Sequence, residues 1–457
     1  MIRSRAFRLA FSACLVLAPL TARATDGHLL HGVGAINSAL GGAGVAAPHS
    51  ILGAFYVNPA GLALFEGTHV EMGFEMMKPS RTVESAFGTF RGSTQSRSEF
   101  VPIPAFGWTT SFNDGDLVVG LSGLGIGGFG VRYAADPGNP ILMPRPNGFG
   151  QVYSNFSLMK IAPALAWSAS DKLKLGVALN VDWASLAVDP MPTASPAFDP
   201  GPDKTPGTQD DRAYYSGAAH ADGAFGAGIQ AGVLYQATPK FAVGLSYSSP
   251  QLFQDFEYDA VYENPNLANY NTARTFGFAM DVPAVYAAGI ALTPNDRLSI
   301  ALDGKYITYG STNGFKEKGF NADGSVKGFG WDDIAVVAAG VQFKANDVVT
   351  LRGGYNYSQN PIPDGQSMFN IPAPAVIEHH ATFGLGLQVT KELQLNLGYY
   401  RAFESSITGP IVRPNGALPG TSVTNSMFED SVLLGFSFTA RKYQAPRASW
   451  GDRKSVV

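Results

Sequence analysis

The sequence predicts an all-β protein: a fourteen-stranded antiparallel transmembrane β-barrel plugged by a small N-terminal hatch. Three observations predict it. Charged residues make up only 15% of the 457, against about 25% in typical soluble domains. Past the N-terminal region there is no apolar run of the roughly 18 residues that a membrane-crossing helix needs, so only a closed barrel, with every backbone group paired, could cross lipid. From Gly67 onward apolar residues recur with period two, the period of a strand.

Residues 1–24 read as a secretory signal peptide. Arg3, Arg5 and Arg8 form the positive start, Leu9 to Leu20 is apolar, and Ala22-Arg23-Ala24 is a small-x-small cleavage pattern. The four arginines of this segment leave with it and no acid does, so the formal charge moves from −4 to −8. A mildly acidic exported chain is a poor partner for nucleic acid. Cys14 is the only cysteine, so the mature chain relies on burial and backbone pairing, not on disulfides.

Residues 25–65 are expected to form the hatch. Gly41, Gly42 and Gly44, with Pro48 and Pro59, break any long helix. The small residues between them permit close backbone packing. Asn58-Pro59-Ala60-Gly61 is the sharpest punctuation, since Asn-Pro favours a turn. Taken alone, the stretch reads equally as an ordinary N-terminal loop.

Residues 66–438 carry the barrel. Leu173, Leu175, Val177, Leu179, Val181 and Trp183 alternate with Lys174, Gly176, Ala178, Asn180, Asp182 and Ala184. The comb recurs at Phe241 to Tyr247, Leu298 to Leu302 and Leu393 to Tyr399. The second face is mostly small or polar, which suits a lumen with the aliphatic face turned to lipid. Six short turns, beginning at Asn113-Asp114-Gly115-Asp116, alternate with seven long loops near 80–100, 131–152, 188–220, 250–281, 310–330, 359–376 and 405–426. That count joins fourteen strands and puts the short turns on the periplasmic rim. Trp108, Trp167, Tyr286 and Tyr399 fit aromatic girdles. Residues 439–457 form a polar, basic tail.

A signal peptide, a small-residue segment ending in Asn58-Pro59-Ala60-Gly61-Leu62-Ala63, and fourteen strands together resemble the FadL/TodX family of outer-membrane transporters for long-chain fatty acids and hydrocarbons. The resemblance covers essentially the whole mature chain. It implies passive uptake of a hydrophobic molecule across the outer membrane of a Gram-negative bacterium. The ligand would be passed to a pocket against the hatch and released sideways into outer-membrane lipid through a kinked third strand. A monomer is expected.

Several residues are candidates for these steps. Gly123, Gly125, Gly127, Gly128 and Gly130 crowd the third strand, where glycine weakens pairing and marks a bulge; equally, they could only make room for the plug. By alternation Lys160, Lys305 and Arg352 point into the lumen, where any of them could meet a carboxylate. Asp303 shares the face of Lys305, so a lumenal ion pair between them is the plainer reading. Leu52, Phe55 and Tyr56 of the hatch could line an apolar pocket or seal the hatch to the wall. Phe253, Phe256 and Tyr258 lie in an aromatic loop that resembles half of the family's extracellular capture groove; a self-packed cluster would look the same.

No enzyme, cofactor or metal site is expected. Gly125-x-Gly127-x-x-Gly130 matches a dinucleotide fingerprint, but no helix follows to hold a pyrophosphate. His379 and His380 are adjacent in a strand and so face opposite ways. General porin, barrel enzyme and adhesin remain as alternatives.

Overall fold

The computed structural model describes residues 26–97, 99–205 and 212–440. The expected signal peptide and almost all of the basic tail lie outside the described residues. Fourteen strands form the wall. They are β1 Thr68–Phe87, β2 Val101–Phe112, β3 Leu117–Tyr133, β4 Val152–Ser168, β5 Leu173–Asp189, β6 Ala218–Thr238 and β7 Phe241–Ser248, then β8 Val285–Asn295, β9 Leu298–Ile307, β10 Ile334–Lys344, β11 Val349–Ser358, β12 His379–Gln388, β13 Leu393–Gly409 and β14 Thr421–Ala440.

Each strand pairs antiparallel with its sequence neighbours. β14 returns to β1 from Thr68↔Ala440 through Phe87↔Thr421, so the sheet has no free edge. The alternation holds in space. Val177, Leu179, Val181 and Trp183 project outward and exposed, while Asn180 and Asp182 between them are buried inside. Trp108, Trp167, Tyr286 and Tyr399 also project outward.

Two loop boundaries need correction. The loops expected near 80–100 and 405–426 are shorter at the wall, because β1 runs to Phe87 and β13 to Gly409. Ladders with β14 carry both outward, unbroken for β1 and with a register shift between Ala402 and Ser405 for β13.

The lumen is filled from one end by the hatch, which holds two short helices, α1 (Gly34–Ser38) and α2 (Ile51–Val57), and a 3-10 turn over Pro59–Leu64. Loops fold inward from the other end. The two layers meet where the His28 ring stacks on Phe315 at 5.0 Å, beside Tyr309 and Trp331.

Candidate functional site

The hatch sits on a belt of glycines. One inward glycine from each of β1, β2, β3, β5 to β8 and β10 to β14 faces it so closely that a Cβ would touch hatch atoms. A Cβ on Gly176 would lie 2.2 Å from the Ala60 nitrogen, and one on Gly354 would lie 2.3 Å from the Gly41 nitrogen. Much of the chain's high glycine content is thus wall that must admit backbone. Asn58 fastens the turn: its Nδ2 donates to the Val45 carbonyl at 2.7 Å and to Val233 of β6 at 3.2 Å, and its Oδ1 accepts from Ala60 N at 3.1 Å. Gly61 is required because a Cβ there would meet Pro48 at 2.4 Å.

Wall acids hold the hatch backbone. Gly44 and Val45 donate to Asp303 Oδ2 at 2.6 and 2.9 Å, and Ile51 and Leu52, the first residues of α2, donate to Glu71 at 3.0 and 3.4 Å. A carboxylate at a helix start satisfies N–H groups that the helix leaves open. Ser50 caps the same helix by accepting from Gly53 N at 3.0 Å.

All three expected cations face the lumen and all are buried. Their partners differ from the expected ones. Lys305 does not pair with Asp303; its Nζ donates to Asp26 of the hatch at 2.9 Å and to the His31 carbonyl at 3.2 Å. The backbone N–H groups of residues 44 and 45 take the Asp303 carboxylate instead. Arg352 donates to Gln342 and Asn396 at 2.7 and 3.0 Å. Lys160 lies over the Tyr56 ring at 5.6 Å. Lys160, Lys305, Asp26 and Tyr56 line a cavity of about 60 Å³ between hatch and wall, large enough for a few waters. Leu52 and Phe55 pack on the belt instead, Leu52 against Gly107 and Phe55 against Gly120.

Burial keeps the hatch histidines neutral. His28 is lowered to about 3 and His31 to about 4, each chiefly because burial disfavours the cation. His379 and His380 do face opposite ways: His379 contacts Tyr355 and Tyr357 on the outer face, while His380 is buried and stacks on His31 at 4.8 Å.

Among the described residues the wall opens between β2 and β3. β2 and β3 pair from Phe112↔Leu117 as far as Ala105↔Leu124 and no further. Beyond that point β3 keeps β4 on one side, with a register shift between Gly125 and Gly127, and turns its other edge to the hatch. Leu30 N donates to the Ile126 carbonyl and Gly128 N to the His28 carbonyl, both at 2.9 Å. A Cβ on Gly127 would lie 2.4 Å from that His28 oxygen. Gly125, Gly127, Gly128 and Gly130 therefore lie in the diverging segment, whereas Gly123 stays in the ladder opposite Phe106 and corrects the expected start. Pro102 and Pro104, which cannot donate to a ladder, lie on the opposite edge of the gap. Its outer end closes where Arg97 N donates to the Arg132 carbonyl at 3.0 Å.

Behind this gap is a cavity of about 490 Å³. Hatch residues 27–31 form its floor, and Ile103, Phe129, Phe156 and Leu158 supply apolar wall. Phe100 and Val101, both exposed, line its mouth. Polar residues that the sequence reading did not assign to it include Arg81, His31, His380, Tyr400 and Glu429, and the exposed Arg97, Glu99 and Arg132 line it too. Extending the alternation of Glu71, Glu75 and Met77 by two more pairs of residues would have pointed Arg81 inward.

The aromatic loop packs on itself. Phe256 and Tyr258 are buried in a hairpin of Phe256–Val261 with Ala273–Phe278, and the Tyr258 hydroxyl donates to the Leu186 carbonyl at 3.0 Å. Phe253 covers Gly226. None of the three lines either cavity.

No curated protein sequence matches the chain. The fold is similar to the crystal structure of the P. putida toluene transporter TodX, at 19% identity and TM-score 0.67, over 90% of this chain and 99% of that one. A Pseudomonas aeruginosa FadL homologue gives 16% and 0.68, and the Ralstonia pickettii toluene transporter TbuX 18% and 0.59, with the same coverages. Residues 27–441 match the family model for outer membrane protein transport proteins, OMPP1/FadL/TodX. The chain therefore belongs to that family, and is a transport channel of the outer membrane and not an enzyme.

Proposed function

We propose that the channel takes up hydrophobic molecules, fatty acids or hydrocarbons, and releases them sideways into the outer membrane through the gap between β2 and β3. The ligand enters among the loops, rests in the large cavity on the hatch and leaves past Phe100 and Ile103. The observation that carries this reading is the loss of pairing beyond Ala105↔Leu124 directly in front of an apolar cavity. The hatch, seated on its glycine belt, blocks the straight path to the periplasm. No second chain is needed for this route, so the channel works as a monomer.

Ile103→Cys tests the route, since the mature chain has no other thiol. Labelling it with a bulky maleimide fills the gap from its edge. Cells carrying the labelled variant should lose uptake of a radiolabelled fatty acid or hydrocarbon, while the unlabelled variant keeps it. Unchanged uptake after full labelling sinks lateral release.

A further inference from the structure

We propose that Arg81 is the docking point for an acidic head group, so that this channel selects amphipathic carboxylates over neutral hydrocarbons. The inference rests on the large cavity being the ligand chamber. Arg81 lies on the inward face of β1 and is only 8% exposed, and its Nε has no hydrogen-bond partner among the described residues. It lines the chamber.

The other lumenal cations of the described residues are engaged or exposed: Arg97 and Arg132 also line the chamber, but both are exposed, and Arg132 pairs with Glu99 at 3.3 Å. Lys305 is held by Asp26, Arg352 by two amides, and Lys160 lies over Tyr56 in the smaller cavity. Arg81 opposes Met427 in the ladder with β14, which puts Glu429 on the same face, one diagonal step away. Glu429 supplies counter-charge, yet the two form no ion pair among those of the described residues, and Glu429 Oε2 is itself without a partner. Tyr400 is not free to help, because its hydroxyl donates to Glu75 at 2.7 Å.

A guanidinium presents a flat fork of donors that matches a carboxylate two bonds at a time. Left unpaired in a largely apolar chamber it is costly, and a hydrocarbon can only bury it further. A carboxylate completes the fork while its tail runs along Phe129, Phe156 and Ile103 to the gap. A site built around an unfilled polar group discriminates strongly against the ligand that lacks the matching group.

Laurate and methyl laurate share one tail and differ in charge, so their binding to the purified channel in a single detergent at pH 8 is the test. Laurate should bind about tenfold more tightly or better, the size of one charge-assisted bond. Arg81→Met should remove that preference and leave methyl laurate binding unchanged, and Arg81→Lys should restore part of it. Equal affinities in the unaltered channel, or equal loss of both ligands in Arg81→Met with the barrel folded, overturn the assignment. If Arg81→Met does not fold, the preference of the unaltered channel and of Arg81→Lys still decides. Tight methyl laurate binding without preference leaves the chamber standing and removes only the acid selectivity, whereas binding of neither ligand overturns the chamber itself.

Discussion

At the level of the hatch, glycines face inward around nearly the whole wall and every strand stays paired. One level further out, glycines cluster in a single strand and that strand leaves its neighbour. The same residue type does opposite things. In the belt the missing side chain lets a second backbone approach a complete ladder, and the acids Glu71 and Asp303 then satisfy that backbone. In β3 the missing side chains let the strand itself bend until Leu29 bridges Gly127 in place of a β2 residue. The belt makes a seal and the bend makes an opening, so the two levels should respond differently to substitution.

The largest effect is expected at the buried ion pair. Asp26 and Lys305 have side chains only 2% and 6% exposed. Lys305→Met strands a buried carboxylate and the His31 carbonyl, at a cost of about 3–5 kcal/mol. Hatch amides, Gly44 and Val45 included, should then exchange with deuterium more than about a hundredfold faster, while amides of β1 and β14 stay protected. Unchanged hatch exchange would show that the pair contributes nothing to seating.

A glycine pair gives a direct contrast. Gly354→Val would press a Cβ on the Gly41 backbone, which cannot move as a side-chain tip can. Overpacking of this kind costs about 1–3 kcal/mol, and hatch exchange should rise accordingly. Gly123→Val has open space around its Cβ, so exchange should match the unaltered protein. If both variants behave alike, the belt is not a steric requirement.

The sequence carried some of this and not the rest, for physical reasons. Strand alternation is local, so it placed Lys160, Lys305 and Arg352 in the lumen correctly. Their partners are not local: Asp26 meets Lys305 across 279 positions, and the hatch backbone that occupies Asp303 has no side-chain signature. The glycines of β3 marked a weakened strand, but where the gap begins depends on register with β2, which no single strand encodes. Arg81 was missed because the first loop was expected to start before it. In the loop from Pro250, composition shows that aromatics are present but not whether they face water or one another; Phe256 and Tyr258 are buried, and the Tyr258 ring packs on Phe276 at 5.5 Å.

The smallest effect is expected from pH, and it again separates the two levels. His28 and His31 belong to the hatch and have folded-state values lowered by burial from 6.5 to about 3 and about 4. Because the released hatch would take up protons first, the stability these rings contribute is complete above about pH 6.5 and is lost as pH falls toward 4. His31 also faces Asp26, whose charge opposes the lowering, and Lys305, whose charge adds to it; burial remains the larger influence. Among the described residues neither ring is hydrogen-bonded to β2 or β3. In planar bilayers, ion conductance should therefore appear progressively between pH 6.5 and 4 and stay absent above that range. A His28→Gln, His31→Gln and His49→Gln triple variant should flatten the dependence, since burial also lowers His49 of the hatch to about 4 and glutamine takes up no proton there. Conductance that rises equally in the triple variant would show that the hatch histidines do not govern the seal.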